Sequence, residues 1–128
     1  MNYFNSKTIR GEFKHTIEKV TQLLSEEGFG IQSEINVTKT LKDKLDVDFK
    51  NYMILGACNP NLALRAFQAE DKIGTLLPCN VIVIEQGDNE IEVAAIDPNA
   101  MMSQIGNPEL NVLGLEASTR LSRVLSKL

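Results

Sequence analysis

Two short segments set a thiol beside a carboxamide: Gly56-Ala57-Cys58-Asn59-Pro60 and Leu77-Pro78-Cys79-Asn80-Val81. Each lies where a strand should meet its neighbouring element, so Cys58, Asn59, Cys79 and Asn80 are the candidate ligand-binding residues. As chemistry, they make a thiol or thiolate site in which the asparagines orient a ligand and Cys58 lies beside the positive end of a helix starting at Pro60. As architecture, a buried cysteine is a small hydrophobe, Asn59 caps the helix, and Asn80 satisfies loose backbone groups beside a proline turn. The architectural reading is the simpler one, because structural cysteines outnumber reactive ones in cores of this kind.

The remaining reactive side chains do not complete a catalytic set. A nucleophilic cysteine needs a histidine base within hydrogen-bond reach. The sole histidine, His15, is two residues from both Phe13 and Ile17, on the polar side of the first helix. Classical Cys-His catalysis and a Cys2His2 zinc site are therefore disfavoured. Asp97 precedes a proline and is accounted for by helix capping, while Glu70, Asp71 and Asp88 fall in loops. Lys39, Lys42 and Lys44 are neutralised locally by Asp43, Asp46 and Asp48 and read as a solvated face rather than an anion site. Neither GxGxxG nor GxxxxGK followed by Ser or Thr occurs, which removes nucleotide hydrolysis and Rossmann-type hydride transfer. No catalytic residue is assigned.

The elements that must position the two segments follow from periodicity and punctuation. Tyr3 to Ile9 suits a first strand. Phe13, Ile17, Val20, Leu23 and Leu24 predict a helix over Glu12 to Glu27, closed by Gly28. Gly30 to Ile35 reads as a strand, and Val37, Leu41 and Leu45 as the apolar stripe of a two-turn helix. Tyr52 to Cys58 is almost continuously apolar, as befits a strand covered on both faces or lying centrally in a sheet. Asn59-Pro60 starts a helix to about Ala69 whose buried stripe is Leu62, Ala63, Ala66 and Phe67. Val81 to Glu85 and Glu90 to Ile96 form a hairpin across Gly87-Asp88-Asn89. Asp97-Pro98 opens a short helix to about Ile105. Asn107-Pro108 opens a long one striped by Leu110, Leu113, Ala117, Leu121, Val124 and Leu128. If the strands ending at Cys58 and starting at Cys79 are antiparallel, the thiols share one end of the sheet; if parallel, they lie roughly 17–20 Å apart.

The 128 residues suit one domain, 1–128, and a hydrophobic content of 43% fills its core without disulfides or structural metals. The formal charge of −4 lacks the basic excess of nonspecific nucleic-acid binders, so nucleic acid is not an expected partner. No apolar run approaches the roughly 18 residues of a membrane span, and the amino terminus does not read as a signal peptide, so no membrane partner is expected. Two cysteines without CxxC spacing read as reduced thiols in a cytoplasmic protein.

The segments Ile54 to Pro60, Leu76 to Val81 and Ala95-Ile96-Asp97-Pro98, in this order, resemble the bacterial and archaeal domain-of-unknown-function family numbered three hundred and two. The resemblance extends over almost the whole chain. It implies an α+β domain with a curved antiparallel sheet and helices packed on one side, akin to the TATA-binding-protein-like architecture, and so favours the thiols sharing one end. It transfers no catalytic residue, and kinship of fold with a DNA-binding protein does not imply its function. Many relatives have a proline at the position of Asn61 and a histidine near that of Leu64; the absence of that histidine here weakens a metal or acid/base role.

The expected function is a non-catalytic module, acting as a homodimer, that binds a small molecule or metal around Cys58, Asn59, Cys79 and Asn80. Two thiolates supply only half of a tetrahedral shell, so a metal would need further ligands. The alternatives are a structural or protein-interaction domain, and a thiol redox enzyme cycling Cys58 and Cys79 between dithiol and disulfide. The enzyme needs lowered thiol pKa values and solvent access, which the apolar flanks do not suggest. The cofactor, if any, is unknown.

Overall fold

Asparagine or aspartate directly before proline occurs three times in the chain, and each occurrence starts a helix in the computed structural model, which describes residues 2–128. The helices are α1 (Phe13–Glu26), α2 (Val37–Leu45), α3 (Pro60–Ala69), α4 (Pro98–Met102) and α5 (Pro108–Ser126). Asn59 accepts from the Leu62 amide, Asp97 from those of Asn99 and Ala100, and Asn107 from that of Glu109. Proline at the first helical position lacks only a donor that would have no partner there. Asn36 caps α2 in the same manner without a proline.

The strands are β1 (Phe4–Arg10), β2 (Gly30–Asn36), β3 (Tyr52–Cys58), β4 (Cys79–Gly87) and β5 (Glu90–Ile96). They form one sheet in the order β1-β5-β4-β3-β2, with every neighbouring pair antiparallel. The fold is α+β, and β3 and β4 meet in the orientation that brings both cysteines to one end. Leu55, Val81, Val83 and Val93 face a core completed by Val20 and Leu24 of α1, Leu62 and Ala66 of α3, and Leu110, Leu113, Leu121 and Val124 of α5. Burying each large aliphatic side chain contributes about 1.5–3 kcal/mol, so the α5 stripe is a main anchor of the helical layer.

Three expectations require correction. In α2 no residue is buried and Leu45 is 66% exposed. This helix is held at the far end of β2 and β3 through Thr38, whose hydroxyl donates to the Lys50 carbonyl and accepts from the Tyr52 amide. Phe67 is 47% exposed rather than part of the α3 stripe. Its ring lies over Gly74 of an unforeseen 3-10 helix, Asp71–Leu76, where an added Cβ would stand 3.3 Å from the ring. That short helix follows from local capping, since the Glu70 carboxylate accepts from the Lys72 amide, and local capping leaves no hydrophobic period to read. Finally, α4 ends at Met102, three residues before the expected Ile105.

Candidate functional site

In the β3–β4 register Ala57 pairs with Cys79 and Gly56 with Asn80, while Cys58 closes β3 opposite Gly30. Successive strand residues point to opposite faces, so Cys79 joins Ala57 on the helix side and Asn80 turns to the other side. At Cys58 the strand gives way to the α3 cap, and its thiol lines the same cavity as Cys79. The cavity is about 40 Å³ and is walled by Phe29, Leu62, Leu77 and Met102. That is room for a ligand of only a few atoms. Both cysteines are free thiols.

Burial raises the pKa of both thiols. Cys58 is pushed up by desolvation, and Cys79 is pushed up to about 11, first by desolvation and then by the neighbouring Cys58. Both are therefore protonated at neutral pH, the reverse of an activated nucleophile. Metal ligation also requires the thiolate, and among the described residues no group of three or more His, Cys, Asp or Glu is placed to hold a metal ion.

Asn59 lines the cavity too, but both ends of its carboxamide are engaged. Its Oδ1 accepts from the Leu62 amide at 3.2 Å, and its Nδ2 donates to the Glu27 carbonyl at 3.4 Å. Arg120 donates to the same carbonyl at 2.9 Å, and Arg123 grips the Glu27 carboxylate through Nε at 3.1 Å and Nη2 at 2.9 Å. The Arg123 guanidinium holds the Glu27 carboxyl below its ordinary range, against the opposing effect of desolvation. Gly28 is required here twice over: its φ is +85°, and a Cβ would approach Asn59 Nδ2 to 2.9 Å. Gly56 has the corresponding role on the strand, since a Cβ there would meet the Ser33 hydroxyl and come within 2.9 Å of the Pro78 ring.

The structure thus brings Cys58, Asn59 and Cys79 together and leaves Asn80 apart. Asn80 borders a separate trough of about 290 Å³ on the outer face of the sheet, with Tyr3, Phe4, Ile82, Ala94 and Ile96. Glu27, Arg120 and Arg123, which brace Asn59, were not anticipated. One signal was available: an acid at the carboxyl end of a helix, as Glu27 is for α1, opposes the helix dipole and calls for a cation. Phe29 and Leu77, apolar residues in connections too short to show a period, offered none.

A family model described as Domain of unknown function DUF302 matches residues 5–128. The chain belongs to this family. A solved relative, titled "Crystal structure of uncharacterized conserved protein DUF302 from Bacillus stearothermophilus", is 26% identical, with 99% of this chain and 98% of that one covered and a TM-score of 0.90. The DUF302 fold is therefore shared from end to end, including the antiparallel sheet that brings the two cysteines together. Among the curated proteins none matches the chain significantly. No helix among the described residues is long and apolar enough to cross a membrane.

Proposed function

We propose that this DUF302 protein is a non-catalytic binding module of one domain that acts as a homodimer and takes a small uncharged ligand between Cys58 and Cys79. The observation that carries this reading is the apolar notch lined by two protonated thiols at the start of α3. A neutral thiol offers a weak donor and a polarizable surface, which suits an uncharged ligand better than an anion or a metal. Turnover through a thiolate would have to overcome the raised pKa values, so the redox reading is the weaker one. Free thiols accord with a reducing compartment, the cytoplasm.

A second reading is favoured by Asn59, whose carboxamide is already used by Leu62 and Glu27. In it, the signature is architecture and the function is protein interaction. Native mass spectrometry of protein purified without chelator separates the two when repeated after alkylation under native and denaturing conditions. A stoichiometric adduct that disappears once the thiols are blocked supports the binding module. An adduct-free protein whose thiols react only after denaturation refutes the pocket and leaves the interaction reading.

A further inference from the structure

The centre of the sheet is apolar on both of its faces, and the helices cover only one. On the helix side Leu55, Val81 and Ala95 are buried in line. One residue along, Ile35, Ile54, Ile82 and Ala94 are paired in succession across β2, β3, β4 and β5 on the outer side. Phe4 pairs with Ile96, and Tyr52 with Ile84, on that same side. No helix among the described residues lies over this face; Ile35 and Phe4 remain 48% and 38% exposed at its margins, while Ile84 and Ala94 at its centre are buried by their neighbours. An apolar run in both alternations marks a strand covered on both faces, and single exposed side chains are ordinary where a contiguous apolar face is not.

We propose that the outer face of the sheet is covered by the same face of a second copy of the chain. The proposal deepens the homodimer reading above, on which it rests, by naming the surface. Three features point to a second copy as the occupant. The first is size: five strands about 4.8 Å apart and seven residues of about 3.4 Å give a face of roughly 24 by 24 Å, a projected area of about 570 Å². With side-chain relief added, and with exposed Tyr3 and Phe49 at its margins, this approaches the roughly 800 Å² per partner of a standard interface. A small ligand or a single peptide helix would leave much of it bare.

The second feature is shape. The half over β1, β5 and β4 holds the trough of about 290 Å³ between Phe4 and Ile82, with the small Ala94 in its lining. The half over β2 and β3 carries the exposed Ile35 beside Ile54. A two-fold axis through the face sets the ridge of each copy into the trough of the other, which is what an isologous contact requires. Face-to-face sheets pack in this manner about 10 Å apart.

The third is charge. At the end of the face away from Phe4, Lys50 donates to Gln86 and Gln86 to Glu92, both at 2.9 Å, while Arg10 pairs in register with Glu90. These polar groups cluster toward one end of the face, with Glu92 also bordering the trough, as a polar rim adjoins an interface core.

Sedimentation velocity at micromolar concentration tests the assignment on the wild type and three variants: Ile82→Glu and Ile54→Arg on the outer face, and Leu115→Glu on the exposed side of α5. The expected result is a dimeric wild type, a mass halved in both face variants with far-UV circular dichroism unchanged, and an intact Leu115→Glu dimer. A dimer that survives both face substitutions, or that is lost only in Leu115→Glu, overturns the assigned surface and leaves the homodimer standing. A monomeric wild type overturns both. Should the face variants not fold, half-filtered NMR on mixed labelled and unlabelled wild type decides. Contacts from the Ile35 or Ile54 methyls of one copy to the Phe4 ring or Ile96 methyl of the other support the surface; their absence from a dimer overturns it. None of these outcomes depends on a bound ligand, so the thiol pocket succeeds or fails separately.

Discussion

The two faces of β3 and β4 are made from the same residue types and end in different physical states. Leu55 and Val81 lie under α1, α3 and α5 with no exposure, whereas Ile54 and Ile82, their sequence neighbours, are only partly buried on a face that no helix among the described residues covers. The signature motif is divided by the same boundary. Cys79 faces inward and is held neutral by burial, while Asn80 faces outward into the trough. Inner and outer positions therefore answer to different requirements: the inner ones to the monomer's own core, the outer ones to whatever comes against the sheet.

The sharpest break of this comparison uses adjacent residues of β3. Leu55→Ala empties a fully enclosed site and should lower stability by about 2–5 kcal/mol whatever the protein concentration. Ile54→Ala removes a partly buried side chain, and in dilute protein should cost about 1 kcal/mol. In concentrated protein its cost should grow, because dissociation of the dimer is then part of unfolding. Urea titrations at two protein concentrations measure both effects. Equal losses at the two positions, independent of concentration, would show that the outer face has no partner.

The asparagines of the signature give a second, smaller contrast. Asn59→Ala removes the α3 cap and the donor to Glu27, and should destabilise the protein by about 1–2 kcal/mol. Asn80→Ala alters an exposed side chain and should stay within about 0.5 kcal/mol in dilute protein. Thermal unfolding of the two variants side by side checks this. A loss at position 80 that matches the loss at 59 would mean that Asn80 has a structural duty of its own.

That contrast also shows how far the sequence could be read. The helix starts at Pro60, Pro98 and Pro108 were legible because each rests on a device contained in two adjacent residues. The meeting of Cys58 and Cys79 was not legible from the residues themselves, since it depends on strand direction, which spacing left open and the family resemblance supplied. Asn80 was grouped with Cys79 by adjacency, although in a strand adjacency means opposite faces, and only the register says which residue takes which face. Helical spacing puts Phe67 in a buried stripe and Leu45 in an apolar one, yet both are exposed. Spacing assigns a side chain to a stripe, but whether anything lies over that stripe is a tertiary matter. The nearly continuous apolar run of Tyr52 to Cys58 held more information than its central place in the sheet uses up, and the uncovered outer face is where the remainder went.

The smallest expected effect concerns the brace behind Asn59, at the inner side of the boundary. Glu27 closes α1 where the helix dipole disfavours an anion, and Arg123 compensates with two donors to its carboxylate. The guanidinium holds the Glu27 pKa below its ordinary value of 4.5, so the folded state binds the proton less tightly than the unfolded chain. Stability from this pair is thus fully present above that ordinary value and is lost as pH falls through the lower, folded-state value. Glu27→Gln should lower Tm modestly at pH 7, because Arg123 is half exposed and solvent screens the pair. The difference from the wild type should shrink steadily as the medium is acidified below about pH 4.5. Melting curves of both proteins at neutral and acid pH test this. A gap that stays constant with pH would assign the contribution of Glu27 to packing and to its backbone carbonyl, which Arg120 and Asn59 share, and not to its charge.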